Sequence, residues 1–266
     1  MVLKKVKIVL VEPAGPLNVG AVARVMKNMG LRSLVLVNPQ CDPLGREARQ
    51  MAVHAADILE AAQQVASLPD ALIGCQRAIA TTARVRTLST QLESPREALP
   101  WLLEESVTSA LIFGPEDRGL SNVELNYAQR FVCIPSSWEY PSLNLAQAVA
   151  ICCYEFYQST HYPSRLPTPD SPSSLKLQPT PHSDETAPLN ALEDYYEHLE
   201  AVLLRIGYLY PHTALSRMEK FRHLLNRAMP TTEEIAMLRG ILRQMEWALK
   251  SQQKFAVDDS SDPKES

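Results

Sequence analysis

Short apolar runs alternate with amphipathic stretches through the first 160 residues. The apolar runs occupy residues 6–11, 34–37, 77–81, 110–113 and 131–134. Apart from Lys7 in the first run and from Arg77 and Thr81 at the ends of the third, they have the length and hydrophobicity of strands that are buried on both faces of a parallel sheet. Helical spacing of apolar residues is found at residues 18–29, 46–56, 59–65, 95–105, 123–127 and 144–157. This alternation predicts an α/β fold, a mostly parallel sheet with helices on both faces.

The pattern changes after residue 160. Seven prolines, interspersed with Ser, Thr and Asp, fall within residues 161–189, which are therefore predicted to be a linker. Helical spacing returns at residues 190–206, 218–228 and 232–250, and Thr231 with Glu234 forms a capping box for the last of these. We expect four parts: a domain at 1–160, the linker, a small C-terminal helical appendage at 190–250 and a disordered tail at 251–266.

Two turns marked by Gly and Pro follow the apolar runs at 110–113 and 131–134. Gly114 and Gly119 lie in the first turn, and Pro135 lies at the start of the second. Ligands of open α/β sheets bind at the carboxyl ends of the strands, where such loops offer backbone groups to a small molecule. If only one of these loops were present, an ordinary turn without a ligand would explain it as well as a binding loop would.

The charge of the chain limits what it can bind. A net charge of −4 gives no overall attraction for nucleic acid, so RNA binding would need local basic patches. Residues 1–50 hold eight basic and three acidic residues, and residues 217–250 hold seven basic and four acidic residues. Scattered solvated side chains are the alternative explanation for many of these charges.

The five cysteines show neither C-x-x-C spacing nor a pairing with histidine at zinc-ligand spacing. Cys133, Cys152 and Cys153 lie in apolar stretches and are predicted to be small buried residues. We therefore expect a reduced, cytoplasmic protein without a metal site. No apolar stretch reaches the ~18 residues of a membrane span, and the N-terminus suits a buried strand better than a signal peptide.

Three segments resemble the motifs of the SPOUT class of RNA methyltransferases. They are IVLVEPAGPLNVGAVARVMKNMGL at residues 8–31, FGPEDRGLSN at 113–122 and IPSSWEYPSLNLAQAVAI at 134–151. The resemblance continues through VLVNP at 35–39 and ATTAR at 80–84. Within the class, these segments and the C-terminal helices are most similar to the bacterial tRNA (cytidine/uridine-2′-O)-methyltransferases that act at position 32 of the anticodon loop.

The resemblance implies a cofactor, a knot and two partners. S-adenosyl-L-methionine would bind among three loops. The implied cofactor-binding residues are Thr81, Thr82, Ala83, Gly114, Glu116, Gly119, Ile134, Pro135, Pro141, Ser142, Leu143 and Asn144. The chain would form a C-terminal trefoil knot and bind tRNA. It would also form a homodimer through residues 144–157, using the stripe Ala146, Val149, Ala150, Cys153 and Phe156.

The resemblance assigns catalysis to Arg24, Ser142 and Asn18. Arg24 follows an Asn-x-Gly turn at residues 18–20 and would contact phosphate and draw the proton from a ribose 2′-hydroxyl. Because an arginine stays protonated, polarisation assisted by the phosphate is an equal alternative. Ser142 and Asn144 lie at the start of the last helix of the domain, where both could simply form an N-cap. The resemblance instead implies that Ser142 hydrogen-bonds to the hydroxyl and that Asn144 organises the loop.

Two questions stay open on the sequence alone. Glu116 either binds across the dimer near Arg24 or orients its own turn. The resemblance implies the activity of a tRNA 2′-O-methyltransferase, and an rRNA 2′-O-methyltransferase or a catalytically silent RNA-binding protein is the alternative expectation. A nicotinamide oxidoreductase is disfavoured because the G-x-G-x-x-G fingerprint is missing.

Overall fold

A computed structural model describes residues 2–83, 92–104, 106–161 and 186–258, without the side chains of residues 2, 4 and 251–258. The chain divides into two compact units, Met1–Ser183 and Asp184–Ser266. Arg84, most of the predicted linker and the last eight residues of the predicted tail lie outside the described residues.

The described residues of the first unit form a seven-stranded sheet in which every pairing is parallel. The strands are β1 (Val6–Val11), β2 (Ser33–Val37), β3 (Gln63–Val65), β4 (Arg77–Thr81), β5 (Leu92–Glu93), β6 (Ser109–Phe113) and β7 (Arg130–Val132). Their order across the sheet is β3-β2-β1-β6-β4-β7-β5. Because all strands run in one direction, the loops that follow β1, β6, β4 and β7 lie side by side at one edge.

Seven α-helices belong to the described part of this unit. They are α1 (Pro16–Asn28), α2 (Arg46–Ala52), α3 (Ala56–Glu60), α4 (Leu68–Ala71), α5 (Pro95–Ala98), α6 (Asn122–Leu125) and α7 (Leu145–His161). Short 3-10 helices occupy Val2–Lys5, Val53–Ala55 and Leu99–Leu103. The predicted α/β class with a parallel sheet is confirmed, whereas the trefoil knot stays a prediction.

Helix α7 contributes its apolar stripe to the core of its own subunit. Val149, Cys153 and Phe156 are fully buried in the core, where α7 contacts α1, α5 and the 3-10 helix Leu99–Leu103. These three residues are therefore not available to the dimer interface that the sequence predicted for them, whereas Ala146 and Ala150 of the same stripe are half-buried. Cys152 is also fully buried, and burial raises the pKa of both thiols, that of Cys153 to about 12. The expected role of these two cysteines as small buried residues is confirmed, and Cys133 is half-buried.

Several element boundaries differ from the predicted ones. Residues 63–65 form the strand β3 and not the end of a helix, because their backbone pairs with β2 at the edge of the sheet. Helix α1 begins at Pro16, so residues 18–20 lie inside it rather than in a turn. The stretch 95–105 is α-helical only to Ala98 and continues as a 3-10 helix.

The described part of the second unit contains three helices, α8 (Leu189–Arg205), α9 (Pro211–Ala228) and α10 (Thr232–Asp258). Tyr196 is buried and donates a hydrogen bond to Asn226 Oδ1 at 3.0 Å. The predicted capping box is present, since Thr231 N donates to the Glu234 carboxylate at 2.8 Å and Glu234 N donates to Thr231 Oγ1 at 3.2 Å. Helix α9 begins earlier than predicted, and α10 extends to Asp258, into the stretch that was expected to be a tail.

Among the described helices, none combines the length and the hydropathy that a membrane span requires. Nor do the described residues contain a group of three or more His, Cys, Asp or Glu side chains that could hold a metal ion.

Candidate active site

A cavity of about 350 Å³ lies at the carboxyl edge of the sheet. The last residues of β4, β6 and β7 (Thr81, Phe113 and Val132) all line it, because these strands are neighbours in the sheet. Ten of the twelve predicted cofactor-binding residues also line it: Thr81, Thr82, Ala83, Gly114, Glu116, Gly119, Ile134, Pro141, Ser142 and Leu143. Pro135 and Asn144 do not. The three loops that were predicted to hold the cofactor, residues 81–83, 114–120 and 134–145, therefore meet at one cavity.

The cavity has an apolar floor and a polar mouth. Phe113, Leu120 and Val132 are buried beneath it, whereas Glu116 and Ser142 are exposed at its rim. Between the floor and the mouth, the loops supply backbone N–H and C=O groups. This combination suits a ligand that has both an aromatic part and charged groups.

Gly114 is required by the fold of the loop after β6. A Cβ atom at this position would lie 2.3 Å from Leu120 N and 2.5 Å from Gly119 C, and both are backbone atoms that cannot swing away. Gly119 has a φ of 66°, in the left-handed region that glycine adopts at little cost, and its N–H donates to Pro115 O at 2.9 Å. The loop thus folds back on itself and presents its backbone to the cavity.

Glu116 holds the loop after β1 against the loop after β6. Its carboxylate accepts hydrogen bonds from Ala14 N at 3.1 Å, Gly15 N at 3.3 Å and Asn18 Nδ2 at 2.8 Å. Partial burial raises the pKa of the Glu116 carboxyl, but the hydrogen bonds from Asn18, Ala14 and Gly15 outweigh it, so that its pKa is lowered. Within its own chain, Glu116 therefore orients the loop that leads into α1.

Asn18 and Asn144 extend this connection to α7. Asn144 Nδ2 donates to Asn18 Oδ1 at 3.0 Å, and Asn144 Oδ1 accepts from Ala146 N at 2.9 Å at the first turn of α7. Of the two residues that were possible N-caps, Asn144 caps the helix. A chain of hydrogen bonds from Glu116 through Asn18 to Asn144 joins the first and third motifs to the second.

Sequence reasoning missed a second link between these loops. Arg118 donates to Glu12 Oε2 at 2.7 Å and to the two Glu124 oxygens at 2.9 and 3.0 Å, and these carboxylates raise the pKa of its guanidinium. Glu12, which directly follows β1, has a φ of 47° and therefore lies in the left-handed region that non-glycine residues rarely adopt. The only signal in the sequence was that Arg118 and Glu124 lie six residues apart. The partner Glu12 lies 106 residues from Arg118, and no local pattern connects the two.

The three predicted catalytic residues occupy different surroundings. Ser142 lies at the cavity, where its hydroxyl makes no hydrogen bond within the described residues. Asn18 belongs to the hydrogen-bond chain and does not line the cavity. Arg24 is exposed on α1, outside the cavity lining, and none of the described residues forms a hydrogen bond or ion pair with it. An exposed arginine of this kind is available for a phosphate.

Comparisons with known proteins agree with this geometry. Residues 5–154 match the SpoU rRNA Methylase family, and residues 190–254 match the tRNA methyltransferase TrmJ C-terminal domain. The chain belongs to the SpoU rRNA Methylase family. The predicted resemblance to SPOUT-class RNA methyltransferases is therefore confirmed, as is the prediction that the chain is an enzyme of this type.

Individual relatives cover most of the chain. The tRNA (cytidine/uridine-2′-O-)-methyltransferase TrmJ of Citrobacter koseri is 40% identical over 92% of this chain and 97% of its own length. The tRNA (cytidine/uridine/adenosine-2′-O-)-methyltransferase TrmJ of Pseudomonas aeruginosa is 39% identical over 91% of this chain and 94% of its own. Among solved structures, the crystal structure of TrmJ from Z. mobilis has 29% sequence identity to this chain and a TM-score of 0.77. The match covers 90% of this chain and 98% of the Z. mobilis chain.

Proposed function

We propose that this protein transfers a methyl group from S-adenosylmethionine to a ribose 2′-hydroxyl of tRNA. The observation that carries the proposal is the cavity at the carboxyl edge of the sheet, where ten predicted cofactor residues from three separate loops converge. The named relatives support tRNA over rRNA, because proteins about 40% identical over nine tenths of the chain act on tRNA by name. A cytoplasmic location stays a prediction.

The cavity fits the cofactor in size and chemistry. About 350 Å³ is within the range of small-molecule sites, and the buried Phe113, Leu120 and Val132 offer an apolar surface for an adenine ring. The backbone of the loop 114–120 would hold the polar groups, and Glu116 and Asp117 give the rim negative charge that suits a sulfonium cation. When bound, S-adenosylmethionine supplies an electrophilic methyl group.

The protein then has to position the hydroxyl and assist the loss of its proton. Ser142 is the exposed hydroxyl at the cavity and would hydrogen-bond to the 2′-oxygen. Arg24 would bind a neighbouring phosphate, either drawing off the proton itself or polarising the hydroxyl through that phosphate. Asn18 would act indirectly, because its hydrogen bonds to Glu116 and Asn144 hold the start of α1 against the cofactor loops.

The proposed enzyme is a homodimer in which each subunit completes the other's site. Helix α7 buries Val149, Cys153 and Phe156 of its predicted stripe internally but keeps two large apolar side chains exposed, Ile151 at 37% and Tyr154 at 47%. These residues, rather than the buried stripe, would face a second copy. A mass measurement by light scattering at micromolar concentration should give twice the chain mass of 29.7 kDa, and a monomer with full activity would contradict this part of the proposal.

The proposed target is nucleotide 32 of the anticodon loop, as C or U. This finer assignment comes from the resemblance of the sequence motifs, since the names of the relatives described above state no nucleotide. One solved structure concerns 2′-OH methylation of C/U34 on tRNA, but its similarity to this chain, with a TM-score of 0.49, is too low to bear on the choice. Nucleotide 34 is nevertheless the position that the assay must separate from 32.

The test uses unmodified tRNA transcripts, purified full-length protein and S-adenosylmethionine, in the presence of a chelator. Mass spectrometry of nuclease digests should find a single 2′-O-methyl group at nucleotide 32. Arg24→Ala should lower the methylation rate by at least about 100-fold, the range found when a group that acts in the transition state is removed. The same variant should bind S-adenosylmethionine normally, because Arg24 lies outside the cavity lining.

Arg32→Ala is the matched control for Arg24→Ala. Arg32 is also an exposed arginine, but it directly precedes β2 and so lies at the opposite edge of the sheet from the cavity. The Arg32→Ala variant should methylate tRNA at the same rate as the unmodified protein. Methylation of rRNA but not tRNA, or no methylation of either, would overturn the proposed function, and methylation at nucleotide 34 alone would overturn the assignment to 32.

A further inference from the structure

Two aromatic side chains stand out of the loop between β7 and α7. Trp138 is 87% exposed and Tyr140 is 78% exposed, which makes them the most exposed large apolar side chains in the described part of the chain. Neither forms a side-chain hydrogen bond or a ring contact with another described residue. Large aromatic rings usually bury 150–250 Å² each in folded proteins, so two rings left in water at one loop indicate a binding surface.

The loop that carries the two rings is held by its own hydrogen bonds. Ser136 Oγ donates to Pro141 O at 3.1 Å, and Glu139 N donates to Ser137 Oγ at 3.3 Å. These bonds bracket the segment and present the rings on a closed turn rather than on a free strand.

The rings also lie next to the proposed reaction site. Tyr140 lines the cavity together with Ser142. Trp138 is two residues from Tyr140 and four from Ser142, so its Cα can be at most about 7 Å from the first and about 14 Å from the second. A nucleotide adjacent to the methylated one would therefore come within reach of the two rings.

The charge of the loop decides which part of an RNA it would contact. Between Cys133 and Asn144 the only charged residue is Glu139, which stands between the two aromatic residues. A carboxylate repels the phosphate backbone, whereas aromatic rings stack on bases of any sequence, a contact typical of proteins that bind unpaired RNA.

We propose that Trp138 and Tyr140 form a stacking platform for unpaired bases of the RNA substrate that flank the methylated nucleotide. This inference rests on the proposed function, because it names how the substrate of that same site is held. The platform recognises a single-stranded loop by its exposed base faces and leaves phosphate binding to basic residues elsewhere.

The experiment compares Trp138→Phe with Trp138→Leu in the full-length protein. Both variants stay apolar, but only phenylalanine keeps a ring. Removing one stacked base contact weakens binding by about 5- to 150-fold. We expect Trp138→Leu to raise the Kd and KM for tRNA about tenfold, and Trp138→Phe to stay within about threefold of the unmodified protein. The slope of log Kd against log salt should not change, because no phosphate contact is removed.

Three readouts distinguish the platform from other roles of the same loop. The melting temperature of Trp138→Leu should be unchanged, since the ring packs on nothing. Unaltered tRNA binding by Trp138→Leu would overturn the inference, as would a loss that appears equally in Trp138→Phe. A lower mass in solution or weaker S-adenosylmethionine binding would assign the rings to a second copy or to the cofactor, and would overturn it too. An unmodified protein that methylates no RNA at all would instead overturn the proposed function.

Discussion

Replacing Glu116 by glutamine would remove one charge from the hydrogen-bond chain while keeping the shape of the side chain. In the structure Oε1 accepts from Asn18 and Gly15, and Oε2 accepts from Ala14. A glutamine amide has only one oxygen, so its NH2 group must face at least one of these N–H donors, whichever way it is turned. At least one of the three hydrogen bonds is then replaced by a contact between two donors, and those that remain are no longer charge-assisted.

The size of the effect follows from the exposure of the site. A hydrogen bond to a charged group contributes ~1.5–3 kcal/mol, and solvent reduces this where the carboxylate is partly exposed, as Glu116 is. We expect Glu116→Gln to lose about 1–2 kcal/mol of the free energy that holds the loop after β1 in place. Because the proposed reaction requires this loop to be ordered, kcat/KM should fall roughly 5- to 30-fold. Glu47→Gln is the matched control, because Glu47 is an exposed carboxylate on α2 without a hydrogen-bond or ion-pair partner among the described residues.

The pH dependence provides an independent check on this reasoning. The folded-state pKa of Glu116 is lowered from its ordinary value of 4.5, so its contribution to stability is fully present above that value and is lost as the pH falls through the lowered pKa. The difference in free energy of unfolding between the unmodified protein and Glu116→Gln should therefore be constant from pH 7 to about 6 and should shrink below pH 4.5. Equal kcat/KM and equal urea unfolding of the two proteins at pH 7 would refute the structural role of this carboxylate.

The remaining predictions concern packing and the second unit. Gly20→Ala should lower the melting temperature by several degrees, because its Cβ would lie 2.2 Å from Ala48 O and 2.9 Å from Met51 Cβ, and overpacking of this kind costs ~1–3 kcal/mol. Gly240→Ala, also in a helix but with no atom within 4 Å of its Cβ, should not lower it. Truncation after Ser183 should preserve S-adenosylmethionine binding, measured by calorimetry, but weaken tRNA binding more at low salt than at high salt, since it removes basic residues of α9 and α10. Full tRNA affinity of the truncated chain at every salt concentration would show that the second unit is not an RNA-binding element.

The sequence predicted the parts of the fold that depend on local pattern. Apolar runs such as residues 34–37 and 110–113 identified the central strands, and the Gly/Pro turns after β6 and β7 identified two walls of the cavity. The edge strands β3 and β5 were missed because Gln63–Val65 is polar and Leu92–Glu93 has only two residues, so neither carries a strand pattern. Edge strands are defined by their pairing rather than by hydrophobicity.

The connections within the site could not be predicted in the same way. The hydrogen bond from Asn18 to Glu116 joins residues 98 positions apart, and that from Asn144 to Asn18 joins residues 126 positions apart. No local pattern encodes such distances. Val149, Cys153 and Phe156 of α7 were assigned to a dimer interface for a related reason, since an apolar helix face does not reveal whether its own subunit or a second copy will cover it.

The order of the strands determines when this fold can form during synthesis. Among the described strands, β4 has only β6 and β7 as neighbours and β5 has only β7, so both strands emerge from the ribosome before these partners exist. Until residue 113 has been made, the nascent sheet ends at β1 and leaves the backbone of that strand unpaired on one side. An exposed strand edge is a template for aggregation, and late, long-range pairing makes folding slow. We therefore expect nascent chains that stop between β5 and β6 to be sensitive to protease and to bind chaperones, whereas chains that extend past α7 should be resistant.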